Sequence, residues 1–309
     1  MPQGSNLGPL LFLLYVNDIY SSINYSKFLM YADDLKLYKV VSNYNDCMKL
    51  QTDIYNIEKW CKTNHLEVNI DKCKFIRYTK CKKIIECNYK IKNQIIEQVQ
   101  NFRDLGVIFD EQLSFNHHIE LTVSNALKVL GFITRNSKLF FNLDSIKCLF
   151  NFLVRTKLEY ASLVWGPIYN VHIDKLEKVQ KKFLKYLYFK HTKSYPNRDI
   201  AYNNLLHQFR IESLGYRRIV VGVKFLYKLV NNHIDVKELL ELIAYNVPQA
   251  NLRNQLLFKN NIARTVLGTK SPIYMICNNF NKICEKCDPH FDKLSKILNV
   301  TSETFKPTG

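Results

Sequence analysis

The chain has few residues that break regular structure. Nine glycines and 8 prolines in 309 residues exclude a collagen-like or Pro/Gly-rich linker protein. It also lacks any run of about 20 mostly apolar residues, the length a bilayer-spanning helix requires. The longest early apolar run, Leu10 to Val16, closes at Asn17 and Asp18. No Lys or Arg precedes it and no convincing small-residue cleavage site follows, which argues against a secretory signal. Acidic residues are scarce as well: 27 Asp+Glu against 44 Lys+Arg give a formal net charge of +17. Such an excess points to a polyanionic partner, nucleic acid ahead of an anionic membrane. An A/T-rich coding composition would also raise Lys, Asn, Ile and Tyr. The 9 cysteines are odd in number and irregularly spaced. Reduced thiols in an intracellular protein, nuclear or cytoplasmic, are therefore expected rather than a disulfide framework.

Enough apolar sequence remains for a packed core. Hydrophobic residues at 47% and charged residues at 23% are the proportions of a globular protein, and the length is a soft prior for about two domains. The first region, to about Gln112, alternates short β-like runs with helical stretches. Lys27–Tyr31 and Leu35–Val41 read as strands of a hairpin joined by Ala32-Asp33-Asp34. Leu50, Ile54, Ile57 and Cys61 share one face of a helix. Leu66, Val68 and Ile70 alternate with polar residues like a half-buried strand. Phe102–Phe109 is an apolar run with a bend or close backbone approach at Gly106.

From Phe115 the period becomes helical. Leu127, Leu130 and Ile133 mark one helix, and Ile146, Leu149, Phe150 and Leu153 a second. A third, Ile173–Tyr188, has Leu176, Val179, Phe183, Leu184 and Leu187 as its apolar face. Ser194-Tyr195-Pro196-Asn197 is a turn signal and a domain boundary. Beyond it the strongest segment is Leu214–Val230, and the chain then frays into a polar tail. The expected fold is α+β, with boundaries giving 1–112, 113–195 and 196–309.

The sharpest chemical feature is Tyr31-Ala32-Asp33-Asp34. Adjacent carboxylates at a hairpin tip repel, and a bound cation relieves the repulsion. Nucleotidyl transfer by two Mg²⁺ ions uses carboxylates in this way. Alone, the tetrapeptide reads more readily as an ordinary exposed Asp-Asp turn, which is common. Upstream of it stand Pro2-Gln3-Gly4-Ser5, Leu7-Gly8-Pro9-Leu10-Leu11-Phe12 and Tyr15-Val16-Asn17-Asp18-Ile19. The glycines allow close backbone approach, and Pro9 starts a helix whose N-terminus favours phosphate.

Together these blocks resemble the reverse transcriptases of non-LTR, jockey-like retrotransposons. The resemblance continues in order through Ile57-Glu58-Lys59-Trp60, Asn69-Ile70-Asp71-Lys72, Leu105-Gly106-Val107, Arg135-Asn136-Ser137 and Leu158-Glu159-Tyr160-Ala161. It extends to Phe225–Leu229 and Ser271-Pro272-Ile273. It implies a partial polymerase palm with an antiparallel sheet, an all-helical thumb and a helical C-terminal extension. It also implies RNA-directed DNA polymerisation with Mg²⁺, an RNA template, a DNA primer and dNTPs, and neither a membrane nor an obligate protein partner.

Carried over by residue, Asp33 is the metal-binding carboxylate and Asp34 its neighbour. Gln3, Gly4 and Ser5 line the nucleotide and template pocket, and Leu105 and Gly106 lie beneath the primer end. Lys72 matches the lysine that protonates the leaving pyrophosphate, although it reads equally as a surface lysine. The family places a further aspartate on a strand upstream of Pro2, together with the fingers. The two-ion site is therefore incomplete in these 309 residues, which are expected to form an inactive fragment. The alternatives are a non-catalytic nucleic-acid-binding remnant and an inert pseudogene product.

Basic clusters favour a nucleic-acid surface. Lys72, Lys74, Arg77, Lys80, Lys82 and Lys83 form one. On the third helix Lys178, Lys181, Lys182 and Lys185 share a face that can track phosphates without reading bases. A solvated helix face is the competing explanation. Cys277, Cys284, Cys287 and His290 lack the paired spacing of a zinc site, so reduced cysteines in a helix are preferred. His65, His117 and His118 have no partner carboxylate at catalytic spacing, and packing or surface roles are expected.

Overall fold

The computed structural model describes residues 5–79, 84–140, 142–196, 200–246, 256–259 and 265–306. The chain divides into two compact units, Met1–Leu113 and Ser114–Gly309. Both helices and small, mostly antiparallel sheets are present, which makes the fold α+β.

The first unit opens with helix α1 (Gly8–Val16), which has Pro9 in its first turn, where proline's fixed φ suits a helix and its missing N–H costs nothing. α1 is apolar around its circumference yet buries only Val16, leaving Leu10, Leu11, Leu13 and Leu14 exposed. A tight helical turn, Asn17–Ser22, leads to β1 (Lys27–Tyr31), which pairs antiparallel with β2 (Asp34–Tyr38). The register sets Phe28 opposite Leu37, Met30 opposite Leu35 and Tyr31 opposite Asp34. The turn is thus Ala32-Asp33 alone, one residue shorter than the sequence pattern indicates, because Asp34 completes a strand pair. β2 also stops before Val41, where the chain turns toward the cap of α2 (Tyr44–Thr63). The Asn43 side chain accepts the Asp46 N–H there at 3.0 Å, the standard satisfaction of an orphan first-turn donor.

α2 is the unit's organising element. Cys47, Gln51, Asp53, Ile57 and Cys61 are its buried residues, with Leu50 and Ile54 packed beside them. Leu66, Val68 and Ile70 alternate in burial with their neighbours but form no strand pair. The alternation reflects side chains reaching the clusters on α2, not a ladder. Short strands follow a turn at Ile70–Lys72. β3 (Lys74–Phe75) pairs parallel with β6 (Glu97–Gln98), and β4 (Lys90–Ile91) pairs antiparallel with β5 (Gln94–Ile95). β7 (Asn101–Asp104) and β8 (Val107–Asp110) form a hairpin whose turn residues Leu105 and Gly106 have φ of 42° and 86°. Two successive positive φ values are the I′ signature, which glycine meets without strain at the second position. Cys47 and Cys87, 40 residues apart, are disulfide-bonded, where the sequence pattern pointed to reduced thiols. Cys47 is buried, and both side chains pack in one apolar cluster, which no spacing rule reveals.

The second unit is helical. α3 (Asn116–Asn136) buries Ile119, Ala126, Leu130 and Ile133, while Leu127 faces outward. α4 (Leu143–Phe150) continues through a wide π turn, Asn151–Arg155, into α5 (Thr156–Glu159). Ile146, Phe150, Val154 and Leu158 are all fully buried. Their four-residue spacing drifts round an ideal helix of about 3.6 residues per turn, and the wide turn absorbs the drift. Leu149 and Leu153, assigned to the same face from sequence, are instead half-buried and exposed. After α6 (Ser162–Trp165) comes α7 (Asn170–Thr192), which buries the five expected apolar residues and also Gln180.

α8 (Tyr202–Phe209) and α9 (Leu214–Val230) pack on α7, and short α10 (Lys237–Leu240) and α11 (Val266–Thr269) follow. α12 (Pro272–Asn281) and α13 (Leu294–Phe305) both lie against α9. The expected frayed tail is therefore partly helix: Ile297, Val300 and Thr301 of α13 are buried. α7 is tied to the segment after Pro196 by polar bonds. Glu177 accepts the Tyr202 hydroxyl at 2.6 Å and the Gly215 N–H at 2.8 Å, and Gln180 donates to the Glu212 carbonyl at 2.9 Å. Asn197, part of the turn signal, lies outside the described residues.

Candidate active site

The tip of the β1–β2 hairpin carries the acidic pair. Ala32 sits at φ 52°, a left-handed conformation that costs a residue with a Cβ roughly 1–2 kcal/mol. Strain of this kind persists only where the surroundings impose it, and it concentrates at functional sites. Asp33 and Asp34 are exposed, and among the described residues neither side chain has a hydrogen-bond or ion-pair partner. Two adjacent carboxylates with open oxygens suit a hard cation such as Mg²⁺. Among the described residues, however, no group of three or more His, Cys, Asp or Glu is placed to hold a metal ion.

The hairpin is held from beneath and from one side. Met30, Leu35 and Leu37 pack on a cluster containing Ile19, Ile57 and Cys61, joined by Leu66 and Val68. On the other face Lys36 of β2 pairs with Asp104 of β7 at 2.6 Å. That bridge ties the acidic hairpin to the hairpin whose turn is Leu105-Gly106, so the structure links two motifs separated in sequence. Leu105 is 46% exposed at that turn. Tyr78 lies in the same field: burial first, then the nearby Asp104 and Asp110, pushes its hydroxyl pKa up.

The other sequence-assigned residues are placed less firmly. Lys72 is exposed on the Ile70–Lys72 turn, where the Asn69 side chain accepts its backbone N–H at 3.3 Å. Its ammonium has no partner among the described residues. Lys74, grouped with it as a basic cluster, is neutralised by Glu97 at 2.5 Å. Lys80, Lys82 and Lys83 lie outside the described residues, as do Gln3 and Gly4. Ser5 is exposed, and its hydroxyl accepts the Leu7 N–H at 3.3 Å in the turn before α1.

In the second unit, Lys178, Lys182 and Lys185 are exposed and Lys181 is half-buried. They lie opposite the apolar face of α7, and none is ion-paired among the described residues. Lys175 on the same helix is held by Glu120 at 2.8 Å. Lys190 turns inward to the Lys138 carbonyl at 2.7 Å. The interleaved aromatics are largely structural, since Phe183 is buried and the Tyr186 hydroxyl bonds Ser137 at 2.9 Å. Cys284 and Cys287 donate to the carbonyls of Asn281 and Ile283, and His290 bonds the Tyr245 hydroxyl at 2.8 Å. Burial raises the Cys277 and Cys287 thiol pKa values to about 11, with nearby Asp292 adding to the second. His118 is buried edge-on against Trp165, and His65 and His117 are exposed.

Sequence reasoning missed two buried polar residues of α2, of which Asp53 supports the site and Gln51 ties α2 to β4. Buried Gln51 exchanges two 2.8 Å bonds with the Lys90 backbone, and buried Asp53 accepts backbone N–H groups ahead of β1. A polar residue inside an apolar stripe was the one available signal.

Comparison with known proteins bears on the same segment. Residues 1–132 match the family model described as reverse transcriptase (RNA-dependent DNA polymerase). The chain is 25% identical over 202 residues to the RNA-directed DNA polymerase from mobile element jockey of Drosophila funebris, covering 60% of this chain and 21% of the relative. The probable RNA-directed DNA polymerase from transposon X-element of Drosophila melanogaster is 25% identical over 191 residues, covering 59% and 21%. The corresponding protein from transposon BS of the same species is 24% identical over 196 residues, covering 60% and 22%. The chain thus spans about a fifth of the length of these relatives. No solved structure matches it. The segment that carries the acidic hairpin is thus similar to the reverse transcriptase family model, and the chain is similar to part of the length of RNA-directed DNA polymerases from Drosophila mobile elements.

Proposed function

We propose that the chain is part of an RNA-directed DNA polymerase. In this reading residues 1–112 belong to the palm, 113–195 to the thumb and 196–309 to a C-terminal extension. Asp33 and Asp34 supply oxygens for a divalent ion at the growing 3′ end, and Lys72 gives a proton to the leaving pyrophosphate. Gln3, Gly4 and Ser5 contact the incoming nucleotide and template, and Leu105-Gly106 underlies the primer terminus. Lys178, Lys181, Lys182 and Lys185 track template–primer phosphates. Mg²⁺, when bound, activates the attacking hydroxyl and steadies the leaving group.

The observation that carries this reading is the exposed acidic tip on a strained, anchored hairpin within the segment matching the family. The second reading, nucleic-acid binding without catalysis, is favoured by the absence of a third ligating side chain near Asp33 and Asp34 among the described residues. One experiment decides between them. The polymerase segment that precedes the matched region in the jockey relative is fused ahead of Pro2, and templated dNTP incorporation is measured with Mg²⁺. Incorporation that Asp33→Asn abolishes, with template–primer affinity unchanged, supports the polymerase. A folded chimera that binds template–primer but stays silent supports the binding module.

A further inference from the structure

We infer that Asp53 and Lys39 form a clamp that fixes the register of the acidic hairpin, making Asp53 a positioning residue for Asp33 and Asp34. Asp53 is fully buried on α2. Its carboxylate accepts the backbone N–H groups of Asn24 at 2.9 Å, Tyr25 at 3.0 Å and Ser26 at 2.7 Å. These are the last residues before β1. Consecutive amides turned toward one point form a nest for negative charge, and here the protein's own carboxylate fills it. The Tyr25 residue is held through its carbonyl as well, which accepts Lys39 Nζ at 2.8 Å. Lys39 is the first residue after β2. One residue at the hairpin's base is therefore gripped by α2 through its N–H and by the outgoing strand through its C=O.

The hairpin needs this device because its turn does not specify register. Two-residue hairpin turns favour Asn-Gly, Asp-Gly or a leading glycine, whereas this one is Ala-Asp with Ala32 at φ 52°. Neither β1 nor β2 pairs with a further strand among the described residues, so no neighbouring ladder fixes them. A one-residue slip would turn either Met30 or the pair Leu35 and Leu37 away from their cluster. It would also move Asp33 out of the turn, because the present register pairs Tyr31 with Asp34 and Lys27 with Tyr38. Anchoring both strands at the base leaves Asp33 at the apex and Asp34 at the first strand pair.

The clamp is a property of the hairpin alone. Its consequence for metal binding rests on the proposed polymerase reading. The test uses the ¹⁵N-labelled full chain as wild type, Asp53→Asn, Lys39→Met and Lys39→Arg. Amide hydrogen exchange in Phe28–Leu37 should rise at least tenfold in Asp53→Asn and less in Lys39→Met. Exchange at Ile57–Cys61 should stay unchanged, and Lys39→Arg should restore the hairpin's protection. Paramagnetic broadening by Mn²⁺ at Asp33 and Asp34 should require at least tenfold more ion in Asp53→Asn. An Asp33→Asn control should remove the broadening.

Unchanged hairpin exchange in both Asp53→Asn and Lys39→Met overturns the clamp. Exchange rising equally along all of α2 also overturns it, since Asp53 would then serve only general stability. If Asp53→Asn does not fold, Lys39→Met, altered at a half-buried side chain outside the core, decides by the same exchange readout. Absence of Mn²⁺ broadening in the wild type counts against the metal reading, and the exchange data still decide the clamp.

Discussion

Removing the lysine face of α7 should change how nucleic-acid binding depends on salt. Lys178, Lys181, Lys182 and Lys185 are unpaired among the described residues, whereas Lys175 is held by Glu120 and is left out of the count. Lys178 and Lys185 are seven residue steps apart, so the face extends about 10.5 Å along the helix axis at about 1.5 Å per residue. That length covers about three phosphate rises of one strand at about 3.4 Å each, within reach of four flexible side chains. If each lysine displaces one counterion from B-DNA, the four contribute about −3.6 to the slope of log K against log salt. Their share of affinity then falls about 150-fold between 50 mM and 200 mM salt, two concentrations chosen for the assay.

The measurement is fluorescence anisotropy with a labelled duplex, titrated at several salt concentrations. The variant replaces all four lysines with Ala. The control replaces the exposed Lys224, Lys228, Lys237 and Lys270 and so removes the same formal charge elsewhere. The α7 variant should lose the slope increment on every sequence tested, since phosphate contacts position without reading bases. Equal slope changes in the two variants would show that net charge alone drives binding, and the α7 assignment would fall. A loss confined to one sequence would refute it differently, by revealing base contacts.

Three further outcomes follow from the same geometry. A polypeptide of residues 1–309 alone should incorporate no templated dNTP with Mg²⁺ or Mn²⁺, and primer extension above an Asp33→Ala background would contradict this. In an active chimera Lys72→Ala should slow turnover by roughly 10²- to 10⁴-fold if the ammonium donates the proton; single-turnover kinetics with an unchanged rate would return Lys72 to the surface. Phe183 is fully buried and stacks on Phe150 at 3.9 Å, so Phe183→Ala should destabilise the second unit by about 3–5 kcal/mol in urea unfolding.

Local signals were legible where a single segment determines its own structure. α9 runs from Leu214 to Val230 as the periodicity indicates, because Ser213 caps it by accepting the Tyr216 N–H at 3.2 Å and the apolar stripe ends at Val230. α7 likewise buries its five expected residues. Alternation at Leu66, Val68 and Ile70 reported burial correctly but could not report pairing, since a ladder needs a second strand that the pattern does not contain. α13 was obscured because Ser295, Asn299, Ser302 and Glu303 dilute a stripe that still buries Ile297, Val300 and Thr301. Spacing alone also could not locate the wide turn after α4, which follows from packing four residues spaced by four on one surface.

The candidate acidic tip stands out in the sequence for a different reason than the groups around it. Two adjacent aspartates at a hairpin tip stand out because their mutual repulsion is local and a bound cation relieves it. The groups that hold them are polar residues satisfying distant partners: Asp53 reaches Asn24–Ser26, and Lys36 reaches Asp104. Asn281 does the same for Phe258 in the second unit, bonding both its N–H and its carbonyl. Each looks in sequence like an interruption of an apolar pattern or an ordinary surface charge. Its meaning depends on which peptide groups lose water when the chain packs, because a buried backbone donor left unpaired is costly. Periodicity therefore shows which face of α2 is covered, while the polar residues within that face decide what α2 positions. Asp53 is the sharpest case, since the same helix face that buries Ile57 and Cys61 beneath the hairpin also holds the chain that leads into it.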